Sequence, residues 1–265
     1  MKIFSKLLLL VGSTIFCLVL ALSIVGDLAI SNFGNDSARD QLQISRNTVQ
    51  MTVENYTEEQ ESLSKMIALN VSLAQALADK DTLALKAFAK EIIKGPMVDL
   101  VTICDTQGFV LARGHSETVG DKLETGIVTL PLTRNRGVIG LDTGHSVPLL
   151  LGSGTPIRHN GQIVGVVVAG MDISSGEFVK KIKASLNVEN TIFLDNTRIS
   201  TTVMRDGKPA VGTTMDNAQI LDGVYRSGKT VFSRNLIAGQ EYETIYWPWE
   251  DINGKKAGMF FVGIS

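Results

Sequence analysis

Few residues in this chain carry chemistry, and they fall into two groups. The first is the run Thr197-Arg198-Ile199-Ser200-Thr201-Thr202, joined further on by Tyr242, Tyr246 and Trp247. Side chains alternate along a strand, so an extended run places Arg198, Ser200 and Thr202 on one face. An arginine beside hydroxyls, with Thr201 adjoining, can fork a carboxylate and satisfy its remaining lone pairs. The aromatic residues would form a wall. A structural reading stands beside this one, in which Arg198 pairs with Asp195 or another acidic neighbour and Tyr242 and Tyr246 line the core. The second group is Arg113, His115, His145 and Arg158. It could anchor an anion, or Arg113 and His115 could belong to a solvated loop after a strand.

Catalytic signatures are absent. There is no HExxH, CxxC, GxSxG or Walker loop. The three histidines, His115, His145 and His159, are spaced too loosely for a zinc site. Gly152-Ser153-Gly154 lacks the lysine of a phosphate loop. The expectation is a protein that is not an enzyme, with no cofactor and no metal. Lys and Arg number 25 against 27 Asp and Glu, with no basic patch, so nucleic acid is not an expected partner. Cys17 lies in an apolar run and Cys104 in a buried-strand pattern, so they are not expected to pair.

The elements that must position these groups follow from periodicity. Lys2 and Lys6 precede an uncharged run, residues 7–26, followed by Asp27. A run of about 20 such residues can span a bilayer, and the lysines place residues 1–6 in the cytoplasm. Everything after Asp27 is then extracytoplasmic, on a single-pass anchor in the cell membrane. Cleavage as a signal peptide is the rival reading. Residues 36–95 show apolar positions at helical intervals, among them Val49, Val53, Tyr56, Leu63, Ile67 and Leu73, with a break expected near Asp79–Thr82. The narrow stripe suits a helical stalk that packs along a domain and against a second subunit as a homodimer, with an intramolecular hairpin that needs no partner as the alternative.

From Val98 onward, β-rich runs are bounded by Gly, Asp, Asn and Pro. Two markers repeat at an offset of about 90 residues. Gly161-x3-Gly165-x4-Gly170 recurs as Gly254-x3-Gly258-x4-Gly263, and Thr102–Asp105 matches Thr191–Leu194. The spacing predicts two copies of one unit, in which residues 161–170 and 254–263 occupy equivalent strands. Ser174–Leu186, with Phe178, Ile182 and Leu186 every four residues, predicts a short helix between them.

The runs GQIVGVVVAGMDIS, DLVTICDTQGFVLARGHSETVGDKL and TIFLDNTRISTTVMRDGKPAVGT, with the closing NGKKAGMFFVGIS, resemble the double Cache sensory region of bacterial methyl-accepting chemotaxis proteins. The resemblance covers roughly residues 96–265. It implies an α+β fold: an N-terminal transmembrane helix, a long helix, then two PAS-like Cache units with antiparallel sheets. The membrane-distal unit would span 96–174, a linking helix 175–187 and the membrane-proximal unit 188–265. It implies extracytoplasmic binding of a small organic acid or amino acid and signalling across the membrane. The same input could serve a sensor histidine kinase, a diguanylate cyclase or a stand-alone anchored binding protein. Citrate-type sensors of this superfamily carry a basic residue and a histidine much like Arg113-Gly114-His115. This chain has LLGSGTP where their pattern carries two further cations, so a tricarboxylate is not expected. The resemblance favours the distal unit as the binding unit.

Overall fold

The structure is a computed structural model that describes residues 2–95, 98–144 and 146–265. In its first helix the side chains are described from Asp36 onward and at a few earlier positions. His145, one of the expected ligand residues, lies outside the described residues. So do the side chains of most of residues 7–26. Among the described residues, no helix is long and apolar enough to cross a membrane.

Helix α1 (Lys2–Ala68) buries Leu42, Val49, Val53, Gln60, Ser64 and Ile67, a stripe at intervals of three, four and seven. The expected stalk forms three helices: it breaks near Asp79–Thr82 as predicted, and also at Leu69–Asn70, where no break was expected. Asn70 caps α2 (Val71–Ala78) by accepting the Leu73 amide at 2.9 Å. A second break at Asp79–Asp81 leads into α3 (Thr82–Ile92), where Asp81 accepts the Ala84 amide at 3.0 Å.

The first sheet contains β1 (Leu100–Asp105), β2 (Val110–Arg113), β3 (Val138–Asp142), β4 (Leu150–His159) and β5 (Gln162–Asp172), in the order β2-β1-β5-β4-β3. Helix α4 (Gly126–Arg134) precedes β3. Helix α5 (Glu177–Leu186) then links to β6 (Glu189–Leu194), β7 (Thr197–Thr201), the small hairpin β8 (Met204–Arg205) and β9 (Lys208–Pro209), and α6 (Ala218–Leu221), which runs on as a π turn. Strands β10 (Val231–Ile237), β11 (Gln240–Glu250) and β12 (Lys256–Ile264) complete a second sheet, ordered β10-β11-β12-β6-β7. The strand pairings within both sheets are antiparallel.

The two sheets have the same topology. Strand β5 sits between β4 and β1 as β12 sits between β11 and β6. Gly165 pairs with Asp105 and Gly258 with Leu194, so residues 161–170 and 254–263 do run through equivalent strands. The repeated glycines have a common cause. A Cβ on Gly165 would run into the Cys104 carbonyl oxygen, and one on Gly258 into that of Phe193. Backbone oxygens in a sheet cannot step aside. Gly165→Ala and Gly258→Ala should each destabilise the fold by about 1–3 kcal/mol or more, read as a lower denaturation midpoint. An unchanged midpoint for both would contradict the shared packing constraint.

Each sheet buries both faces. One face of the first sheet packs on α1, α2 and α3 through Val101, Ile103, Val167 and Ala169. Its other face, with Leu100, Cys104, Val166 and Val168, packs under α4. In the second sheet Ile192, Ile245, Trp247 and Phe260 meet α1 and α5, while Phe193, Tyr246, Met259 and Phe261 meet the α6 segment. The cluster around Leu42, Val49 and Val53 also takes in Leu141, Leu149 and Leu151, so one core runs between the two sheets.

Candidate functional site

The α4 face of the first sheet and the α6 face of the second are equivalent, and each holds a cavity. The first is about 30 Å³, walled by Leu100, Leu123, Val128, Val147 and Leu150, with Arg113, Thr102 and Ser146 among its polar lining. That is room for a water or two. The second is about 250 Å³ and more polar, walled by Arg198, Arg205, Asp216, Asn217, Asn235 and Tyr246.

Arg113 ends β2 and is 3% exposed. Its charge is already matched. Nη1 and Nη2 donate to the two Asp121 carboxylate oxygens, each at 2.7 Å, and Nη1 also donates to the Thr118 carbonyl at 2.6 Å. Nε, buried, has no hydrogen-bond partner among the described residues. Arg113 is therefore neither a solvated loop residue nor a free anion anchor. The arginine–histidine pattern missed Asp121 because an acidic residue eight positions on gives no periodic signal.

His115 stands one step back from this cavity, with Nε2 3.4 Å from Ser146 Oγ. Burial, and secondly the Arg113 charge, lower its pKa below the ordinary value of 6.5. The folded state therefore resists protonating it. The neutral form's full contribution to stability is present above the unfolded pKa. It is lost as pH falls through 6.5 towards the folded value. Replacing His115 with Gln should flatten the pH dependence of the melting temperature between about pH 7 and 5. Parallel curves for parent and variant would contradict the shift. Arg158 lies away from both cavities, donating to the Gly161 carbonyl at 3.0 Å and bonding Asn135.

The second group is brought together differently from the expectation. Strand alternation would place Arg198 with Ser200 and Thr202. A β-bulge intervenes: consecutive β6 residues Ile192 and Phe193 pair with Ser200 and Arg198, so Ile199 is extra. Arg198 follows Phe193 to the cavity face, while Ser200 follows Ile192 to the α1 face. Thr201 shares the Arg198 side, but its hydroxyl bonds Thr191 Oγ1 at 2.6 Å and accepts the Val203 amide. Thr202 Oγ1 is taken by the Asn190 amide at 2.9 Å and by Glu189. Neither threonine hydroxyl is on the cavity wall.

Tyr246 is on it. Fully buried, it accepts from Asn235 Nδ2 at 3.3 Å, and burial pushes its pKa up to about 12, so it stays a neutral phenol. Tyr242 bonds Gln240 and does not line the cavity. Trp247 points to the other face, where the Arg46 guanidinium stacks 5.6 Å from its ring.

Arg198 is 8% exposed. Its guanidinium lies 5.0 Å from the Phe193 ring centroid, and Nη1 donates to Thr213 Oγ1 at 3.0 Å and the Thr214 carbonyl at 3.2 Å. Among the described residues it has no ion-pair partner, and Asp195 does not reach it. Burial lowers its pKa and Arg205 adds to that, while Tyr246 and Asp216 oppose it. A guanidinium keeps its proton through such a change. It is a buried cation, positioned by hydroxyl, carbonyl and ring, facing open volume.

Arg205, Asp216, Asn217 and Asn235 were not singled out in the sequence. Arg205 sits on the β8–β9 hairpin, whose Asp206-Gly207 turn has φ of +51° and +75°. An Asp-Gly pair is a sequence signal for such a hairpin, but nothing in it signals that the hairpin carries Arg205 to the cavity wall.

An α+β chain with two five-stranded antiparallel sheets of this order, each cupping a cavity, has the PAS-like Cache fold of a sensory domain. The chain belongs to the family described as single Cache domain 3. One model of that description matches residues 47–179 and a second matches residues 172–265. No curated protein matches the chain. Among solved structures, it is similar to the sensory domain of the Campylobacter jejuni chemoreceptor Tlp3 (CcmL) with isoleucine bound. That match has 14% identity and a TM-score of 0.53, covering 87% of this chain and 91% of that one. The sensor domain of the Vibrio cholerae histidine kinase DctB matches at 13% identity and TM-score 0.52, over 86% and 95%. A domain of a putative sensory box/GGDEF family protein from Vibrio parahaemolyticus matches at 12% identity and TM-score 0.54, over 86% and 96%.

Proposed function

We propose that this chain is the extracytoplasmic sensing region of a transmembrane chemoreceptor, a double Cache arrangement that binds a small carboxylate in its second unit and is not an enzyme. Arg198 carries the reading. It is a buried guanidinium with no ion-pair partner among the described residues, at the wall of a cavity of about 250 Å³. A buried charge of this kind is stabilised by an anionic partner. The cation lining the first unit's cavity, Arg113, is already held by Asp121. The choice of unit thus departs from what the family resemblance implies.

The isoleucine held by the Campylobacter jejuni chemoreceptor domain supports a small molecule with a carboxylate as the ligand class. Asp216 and Asn217 on the same wall would suit the ammonium of an amino acid. Receptor type rests on the resemblance to chemotaxis proteins. The kinase and GGDEF relatives make a sensor kinase or a diguanylate cyclase the alternative outputs. The span at residues 7–26 would anchor the region in the cell membrane. Exposed Ile44 and Met51 of α1, seven residues apart, would face a second copy in a homodimer.

A thermal-shift screen of the full chain tests the ligand class, using monocarboxylates, dicarboxylates and amino acids beside their neutral amides. The expected result is stabilisation by one group of carboxylates and none by the matching amides. Equal shifts with the amides, or none with any acid, would overturn the reading.

A further inference from the structure

The turn joining β11 to β12 does not end in solvent. It is one residue longer than its counterpart in the first unit. There Asn160 and Gly161 alone make the turn, both at positive φ. Here Asp251 is closed by Lys255, and Ile252, Asn253 and Gly254 form the loop. Asp251 bridges Leu141 of β3, and the Ile252 amide donates to the Leu141 carbonyl at 3.0 Å. The Ile252 side chain packs against the cluster of Leu123, Ile127, Val128 and Leu150, beneath α4 of the first unit.

Two glycines make room for it. A Cβ on Gly126, the first residue of α4, would lie 2.9 Å from Ile252 Cγ1, and one on Gly140 of β3 3.0 Å from Ile252 Cγ2. The end of β3 and the start of α4 are also tied together. Buried Asp142 accepts the Ile127 amide at 2.8 Å, the capping bond that the side chain of Thr125 does not make. Ile127 and Val128 of α4, with Thr143 and Gly144 immediately after β3, wall the first unit's cavity. The tip of the second unit is thus wedged among the elements that roof the cavity of the first.

That cavity, at about 30 Å³, admits nothing much larger than water without moving its roof. Packed interiors do not deform continuously, so a moved roof must displace what is wedged against it. We propose that the β11–β12 turn is a mechanical link between the units, in which opening the first cavity displaces Ile252 and shifts β11, the strand that carries Tyr246 in the wall of the second cavity. By linkage, filling the second cavity alters the ease of opening the first by the same factor. The link does not depend on Arg198 being a carboxylate anchor.

The test uses the full chain with Thr143→Cys, an exposed position at the cavity, in a Cys17→Ser background. Cys104 is buried with its thiol pushed up to about 12, so it remains unreactive. Thiol reagents carrying a methyl and then a benzyl group fill the cavity in steps, and amide hydrogen exchange is read by residue. The expected result is exchange at Ile252–Lys255 accelerated about tenfold by the benzyl reagent and hardly by the methyl one. In an Ile252→Ala background the reagent should cause no further change there. Acceleration confined to residues 113–147 overturns the link. Gly126→Ala gives a check without reagents. It should destabilise the parent, where it meets Ile252, and cost clearly less in Ile252→Ala, where only the movable end of the Asn253 side chain, 3.0 Å away, is left to give. Equal effects in both backgrounds would show that Ile252 is not wedged.

Discussion

Arg198→Ala should weaken binding of the proposed small carboxylate by roughly 30-fold or more, while the fold stays intact. The magnitude follows from what the side chain does. A buried guanidinium held by Thr213, Thr214 and the Phe193 ring is preorganised before any ligand arrives. Removing one partner of a buried charged pair costs about 2–5 kcal/mol, and each 1.4 kcal/mol is about tenfold in affinity. The fold should tolerate the change because no carboxylate among the described residues is orphaned by it. Arg198→Lys keeps the charge but loses the planar fork, so its affinity should fall between parent and alanine variant. Calorimetry on the three proteins, with melting curves beside it, checks this. Equal affinities would return Arg198 to a structural role.

Asp121→Ala should have the opposite profile, a large loss of stability. It strips the bidentate carboxylate from Arg113, whose side chain is 4% exposed, and leaves only the Thr118 carbonyl. Breaking a buried pair by removing one member costs about 3–5 kcal/mol, because the remaining charge is uncompensated. Arg113→Met with Asp121→Leu should cost much less than Asp121→Ala alone, since that pair removes both charges together. Chemical denaturation of the two variants separates the effects. If Asp121→Ala unfolds like the parent, Arg113 has other compensation and becomes available as an anion anchor in the first unit.

The parts of this architecture that could be read from the chain are those set by local constraint. The glycine spacing betrayed the repeat because Gly165 and Gly258 each lie against a backbone carbonyl where no side chain fits. The linking helix was legible because Phe178 and Ile182 turn one face of α5 to the core. What depends on pairing or distance was not. The bulge at Ile199 separates Arg198 from Ser200, and no alternation pattern contains it. Helix α4 carries Pro131 and a β-branched run, so its sequence does not look helical. The break at Asn70 lacks a proline or glycine and is marked only by its capping side chain. Asp121 and Ile252 act through partners that only the folded chain supplies, at β2 in one case and in the other unit in the other.

The most direct measurement is a crystal structure of the full chain grown with the carboxylate that most stabilises it. Ligand density is expected in the second unit's cavity, with a carboxylate oxygen at about 2.7–2.9 Å from the Arg198 guanidinium and the Arg113–Asp121 pair unbroken. Density in the first unit's cavity, with Arg113 released from Asp121 and turned to the ligand, would contradict it.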